Sequence, residues 1–147
     1  SEQLTKRGIT HVRRSELDGS GMCLEPGGVL LVDTLGEILN IYALSDVVFV
    51  GGSLVPVGGH NVLEASLVKK PAIFGRHMNN FKTISNLLMA AGGGLQVQDA
   101  EELYLQLRRL LGNPLVRSKI GESGYALLAE NSGATEQTLA LIDFIKS

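Results

Sequence analysis

Cysteine is nearly absent: Cys23 stands alone, which excludes an intramolecular disulfide framework and any cysteine-rich zinc site. That usage fits a reducing, cytosolic setting, with Cys23 read as a bystander. Tryptophan is missing and aromatic residues make up 5% of the 147 positions, too few for the stacking platforms that hold single-stranded nucleic acid. Neither sign of charge dominates. Thirteen basic residues against 15 acidic ones leave a net charge of -2, so no basic field collects nucleic acid by counterion release, and any bound anion must be held locally. Long apolar runs are lacking too. Stretches such as Val29 to Val32 and Val47 to Val50 fall far short of the roughly 18 residues a membrane span needs. The opening "SEQLTKRGITHV" has no apolar signal core. Neither GxGxxG, GxxxxGK[ST] nor HExxH occurs, so a dinucleotide, P-loop or zinc-hydrolase assignment has no motif support.

What remains is the composition of an ordinary soluble globular protein, 44% hydrophobic and 19% charged, long enough for one domain or a piece of one. Short β-rich runs stand at "ITHV", "VLLVD", "DVVFVGG", "PAIFG" and "GLQV", and their near-continuous apolar character suits strands buried on both faces. Helix-compatible segments at 36–45, 61–69 and 79–91 lie between them. The alternation predicts parallel βαβ units, an α/β fold with a doubly wound parallel sheet. After Asp99 the pattern turns to helices alone. "DAEELYLQLRRLLGN" opens on an Asp cap and closes at Gly112 and Asn113. Pro114 then starts a second helix, and "ATEQTLALIDFIKS" forms an amphipathic third. The polar opening reads as the tail of a helix before "GITHV", so a first strand of the domain is expected to precede this sequence.

In open parallel sheets ligands bind beyond the carboxyl ends of strands. Leu35, Gly36 and Glu37 follow one strand, and the stretch "GGSLVPVGGHNVLE" follows another. In the second stretch Gly51, Gly52, Gly58 and Gly59 let a ligand approach the main chain, and amides at the helix start near Asn61 offer donors to a phosphate. Ser53 adds a hydroxyl, and Glu64 is spaced to accept hydrogen bonds from two ribose hydroxyls. The same residues also fit a purely structural role. Glycines after a strand make turns, Asn61 and Glu64 form the Asn-x-x-Glu capping pattern, and His60 can simply shape the loop. Arg13, Arg14 and Ser15 end the first strand and either meet an anion or stay solvated. Arg76, His77 and Asn80 follow a third strand, with helix capping by Asn79 or Asn80 as the alternative.

The stretch from "VLLVDTLGEILNIYALSDVVFVGG" through "GGHNVLE" and "GRHMNNF" to "GLQV", together with "NSGATEQTL", resembles the carboxy-terminal domain of the 3-deoxy-D-manno-octulosonic acid (Kdo) transferases, over nearly the whole chain. The resemblance implies a GT-B glycosyltransferase with two Rossmann-like domains, an inverting reaction, and no metal or cofactor. It implies CMP contacts from Leu35, Gly36, Glu37, Asn61, Val62, Leu63 and Glu64, the two strand-end segments already singled out. Further phosphate or Kdo contacts are expected from Gly52, Ser53, Gly59, His60 and Arg14. The catalytic carboxylate is expected in an amino-terminal domain outside this sequence, along with a strand and a Pro-Arg loop that also touches CMP, so the 147 residues alone are expected to be inactive. Three positions depart from the family's pattern. Val62 and Ala65 replace the prolines of "GGHNPLEP", and Arg76 replaces the proline of "GPHMFNF".

The implied activity of the parent is transfer of Kdo from CMP-Kdo to a lipid A precursor in lipopolysaccharide synthesis, at the cytoplasmic face of the bacterial inner membrane, with this fragment itself soluble. Two other readings stay open: the nucleotide domain of another GT-B enzyme or a sugar-nucleotide epimerase, and a non-catalytic interaction module. A sheet edge left open by truncation would favour self-association.

Overall fold

The computed structural model describes residues 1–17 and 24–132. Cys23 and the expected closing helix "ATEQTLALIDFIKS" lie outside the described residues. The chain divides into two compact units at Glu37 and Ile38.

In the first unit a short polar helix, α1 (Glu2–Lys6), precedes strand β1 (His11–Arg13), as the opening residues predict. β1 pairs in parallel with β2 (Val29–Leu31), His11 opposite Val29 and Arg13 opposite Leu31. Beyond the strand ends Ser15 donates to Asp33 twice, from its backbone N–H at 2.9 Å and from its hydroxyl at 2.7 Å. None of the described residues of this unit is fully buried.

The second unit opens with α2 (Ile38–Leu44) and holds a parallel sheet of β3 (Val48–Val50), β4 (Ala72–Gly75) and β5 (Gly94–Val97), in that spatial order. β4 is the middle strand and is buried throughout, the behaviour its unbroken apolar run predicts. Alternate side chains of β4 serve different cores. Ala72 and Phe74 join Val48, Val50, Val62, Ala65 and Leu88, while Ile73 joins Val97, Leu110 and Ile120. The first cluster takes its helical partners from α2, α3 (Leu63–Leu67), α4 (Lys82–Ala90) and, through Leu127, α6 (Pro114–Ser132); the second takes them mainly from α5 (Ala100–Leu111) and α6. Helices therefore cover both faces of this sheet, as the doubly wound pattern requires.

Local chemistry sets the helix ends. The Asp99 carboxylate accepts from the Glu102 N–H at 2.9 Å and caps α5. Asn113 accepts from the Val116 N–H at 3.2 Å, with Pro114 as the first residue of α6. The Gly93 N–H returns to the Leu88 carbonyl at 2.9 Å and terminates α4, the stop predicted for the triple glycine. Two helices are shorter than the periodicity predicts. α2 starts at Ile38 rather than at 36, and α3 has 5 residues where 61–69 is expected. Among the described residues no helix is long and apolar enough to cross a membrane.

Candidate functional site

The carboxyl ends of β3 and β4 meet in a compact arrangement built around the glycine loop. The Gly59 N–H donates to the Gly52 carbonyl at 3.2 Å, which closes residues 52–59 into a ring. Val55 and Val57 lie exposed at its tip. Gly58 and Gly59 sit at φ of 111° and 71°, where side chains are strained, and both are pressed against the next strand-end loop. A Cβ on Gly59 would fall 2.3 Å from the Met78 sulfur, and one on Gly58 would fall 2.8 Å from the Asn80 amide nitrogen. These two glycines are thus required by the fold itself. Gly51 differs: a Cβ there would meet nothing within 4 Å.

Ser53 is fully buried, and its hydroxyl donates to the Val50 carbonyl while accepting from the Gly75 N–H at 2.8 Å. Its carbonyl accepts from the His77 N–H at 2.9 Å. The expected hydroxyl donor to a phosphate therefore already has its hydrogen committed, because it fastens the end of β3 to the end of β4. The capping-box reading of Asn61 also changes. Val62 is the cap residue of α3, and the Asn61 side-chain oxygen accepts from the Leu63 N–H at 3.0 Å. The neighbouring Asn61 side chain also favours the ionised form of Glu64. Val62 is fully buried in the core and exposes no surface to a ligand in this structure.

Glu64 lies half-buried on the first turn of α3. Burial pushes its carboxyl above the ordinary value, against the opposing pull of the Asn61 side chain and the nearby His60. Tyr42 of α2 is its unforeseen neighbour. Burial, and then the negative charge of Glu64, raise the phenol above its usual range. His60 itself is exposed on the rim. Among the described residues, Gly52, Ser53, Gly59, His60, Asn61, Val62, Leu63 and Glu64 are thus gathered at one end of the second unit. Asn79 and Asn80 make no side-chain cap to the helical turns that follow them.

The first unit carries the other predicted segment. Leu35 is 99% exposed and Gly36 takes φ of 80°, so Leu35, Gly36 and Glu37 form a loop rather than a helix start. Arg14 is not a free cation: its guanidinium donates to Glu37 at 2.8 Å. Glu37 also accepts from the Thr34 hydroxyl, and this bond, followed by those of Arg14, holds its carboxyl below the ordinary value. The Ser15 hydroxyl and N–H do the same for Asp33. Arg14 and Glu37 each stand out in the sequence, but their pairing across 23 positions leaves no local signal.

No protein-family model matches the chain. It is 38% identical over 143 residues to the 3-deoxy-D-manno-octulosonic acid transferase of Haemophilus influenzae, a match covering 97% of this chain and 33% of that protein. It is 42% identical over 147 residues to the transferase of the same name from Bordetella pertussis, with the same coverage. A bifunctional glycosyltransferase/methyltransferase of Fusobacterium nucleatum is 34% identical over 99 residues, 67% of this chain and 15% of that protein. The chain spans about a third of the length of the curated transferases it matches. Among solved structures, the crystal structure of the C-terminal CMP-Kdo binding domain of WaaA from Acinetobacter baumannii superposes with a TM-score of 0.76 at 32% identity, covering 86% of this chain and 65% of that one. By sequence along almost its entire length and by fold, the chain is a homologue of the 3-deoxy-D-manno-octulosonic acid transferases, similar to their carboxy-terminal part.

Proposed function

We propose that this chain binds the CMP moiety of CMP-Kdo for a Kdo transferase. The observation that carries this reading is Glu64, a half-buried carboxylate on the first turn of α3, which follows a glycine loop at the strand ends. A carboxylate in that setting accepts hydrogen bonds from the two ribose hydroxyls of a nucleotide, and burial strengthens each bond. The phosphate lies against main-chain groups at His60 and Asn61, since the Gly59 N–H is already bonded to Gly52. The five residues of α3 give it little dipole, so backbone donors and His60 carry most of that contact. The resemblance to the family assigns further CMP contacts to Leu35, Gly36 and Glu37, and within the first unit Arg14 holds Glu37.

The reaction proposed for the whole protein is transfer of Kdo to a lipid A precursor during lipopolysaccharide synthesis at the inner membrane. The acceptor site and the base come from a partner domain. Support for the donor comes from the solved CMP-Kdo binding domain that shares this fold. The Fusobacterium relative favours a second reading, a donor site for a different glycosyltransferase.

Calorimetric titration of CMP and UMP into the chain and its Glu64→Ala variant separates these. The expected outcome is preference for CMP and a loss of about 10-fold to 100-fold on removing the carboxylate, the range for hydrogen bonds to a charged group. Equal binding of UMP would favour the second reading. Indifference to Glu64→Ala would return Glu64 to a structural role.

A further inference from the structure

We propose that Arg76 and His77, at the carboxyl end of β4, form an anion subsite that takes the carboxylate of the donor sugar acid; this rests on the CMP-Kdo reading above. Arg76 follows the strand directly and is exposed. Its Nε donates to the His77 Nε2 at 3.3 Å. A guanidinium can only donate, so the imidazole Nε2 is the acceptor and lies along the inner edge of the guanidinium. Among the described residues the two terminal nitrogens of Arg76 make no hydrogen bond or ion pair. Their paired N–H groups match the two oxygens of a carboxylate.

The pair is tied to the nucleotide loop. The His77 N–H is bonded to the Ser53 carbonyl at 2.9 Å, and the His77 carbonyl lies 3.3 Å from where a Gly59 Cβ would be. The Asn80 amide, packed over Gly58, adds a polar group without a hydrogen-bond partner among the described residues. His60 follows Gly59 in the chain and is exposed. The glycine loop and the Arg76–His77 segment are therefore fastened together at the carboxyl ends of β3 and β4, the end of the unit that also carries Glu64. Kdo is itself an acid, so a donor seated with its ribose at Glu64 brings a negative group to be matched beyond the phosphate.

The test uses the full chain in two stages. CMP is first titrated into the wild type, Arg76→Gln and Arg76→Lys, and Kdo is then titrated into each CMP-saturated protein while amide chemical shifts are followed. The expected result is unchanged CMP affinity, Kdo binding weakened about tenfold in Arg76→Gln and less in Arg76→Lys, and no difference between wild type and Arg76→Gln for the methyl ester of Kdo. Absence of Kdo binding in the wild type, or equal Kdo affinity in wild type and Arg76→Gln, would overturn the proposal while leaving the CMP site standing. So would parallel losses of CMP and Kdo in Arg76→Gln, since these mark a disturbed loop. Failure of the wild type to bind CMP in the first stage would remove the nucleotide reading and this one with it.

Discussion

Glu64 shows what the residue proposed to bind ribose costs the fold that carries it. Burial holds its folded pKa above the unfolded one, so the folded chain keeps the proton more tightly over the interval between the two. The associated stability is full below the unfolded pKa and is lost as pH rises through the folded one. At neutral pH the ionised carboxylate is therefore a net burden in the absence of ligand. Glu64→Gln is expected to raise the melting temperature at pH 7 by roughly 1 °C, and to leave it unchanged near pH 3.5, while weakening CMP binding. Thermal melts at the two pH values, with and without CMP, check both halves. A lower melting temperature at pH 7 would show that the pull of Asn61 outweighs the burial.

Among the elements, the contact between α3 and α6 leaves the least room. A Cβ on Gly121 would fall 1.9 Å from the Lys69 carbonyl oxygen, and one on Gly124 would fall 2.8 Å from the Ser66 hydroxyl. Both obstacles belong to the short segment that carries Glu64. Gly121→Ala is expected to cost about 3 kcal/mol, lowering the melting temperature by about 10 °C, because backbone cannot step aside as a side chain can. It is also expected to weaken CMP binding by displacing α3. Chemical denaturation and CMP titration of the variant check this, and full stability would mean that α6 shifts freely.

The sequence foretold much at this scale. All five strands lie at the predicted β-rich runs, since such a run between turn residues is a local signal, but burial on both faces holds for β4 and not for β1 and β2, which hold no buried residue. Asp99 and the Asn113–Pro114 pair marked α5 and α6 for the same reason: capping acts within three residues. The length of α3 was not legible. Asn61 diverts the Leu63 N–H, and Lys69 closes the helix at φ of 57°, a conformation rare for its residue type. Glu64 and Glu37 were visible as candidates, but their partners Tyr42 and Arg14 come from packing between distant segments, which no spacing encodes.

At the scale of the whole molecule, the two units differ in how much they bury. β4 contributes Ile73 and Phe74 to opposite cores at 0% exposure, whereas no described residue of the first unit is fully buried. Amide protection follows the depth of such cores. Hydrogen exchange is expected to protect β3, β4 and β5 for longest and to release β1 and β2 at least tenfold sooner. Mass spectrometry on the exchanging chain resolves the difference, and equal protection would mean that the units open together. The closed ring of residues 52–59 has a practical use as well. Its ends are pinned, its tip projects at Val55 with 54% exposure, and the sequence offers one competing thiol. With Cys23 replaced by Ser, a Val55→Cys substitution gives a single attachment point for an environment-sensitive fluorophore beside the strand ends, so that occupancy of the neighbouring rim can be read as a change in emission.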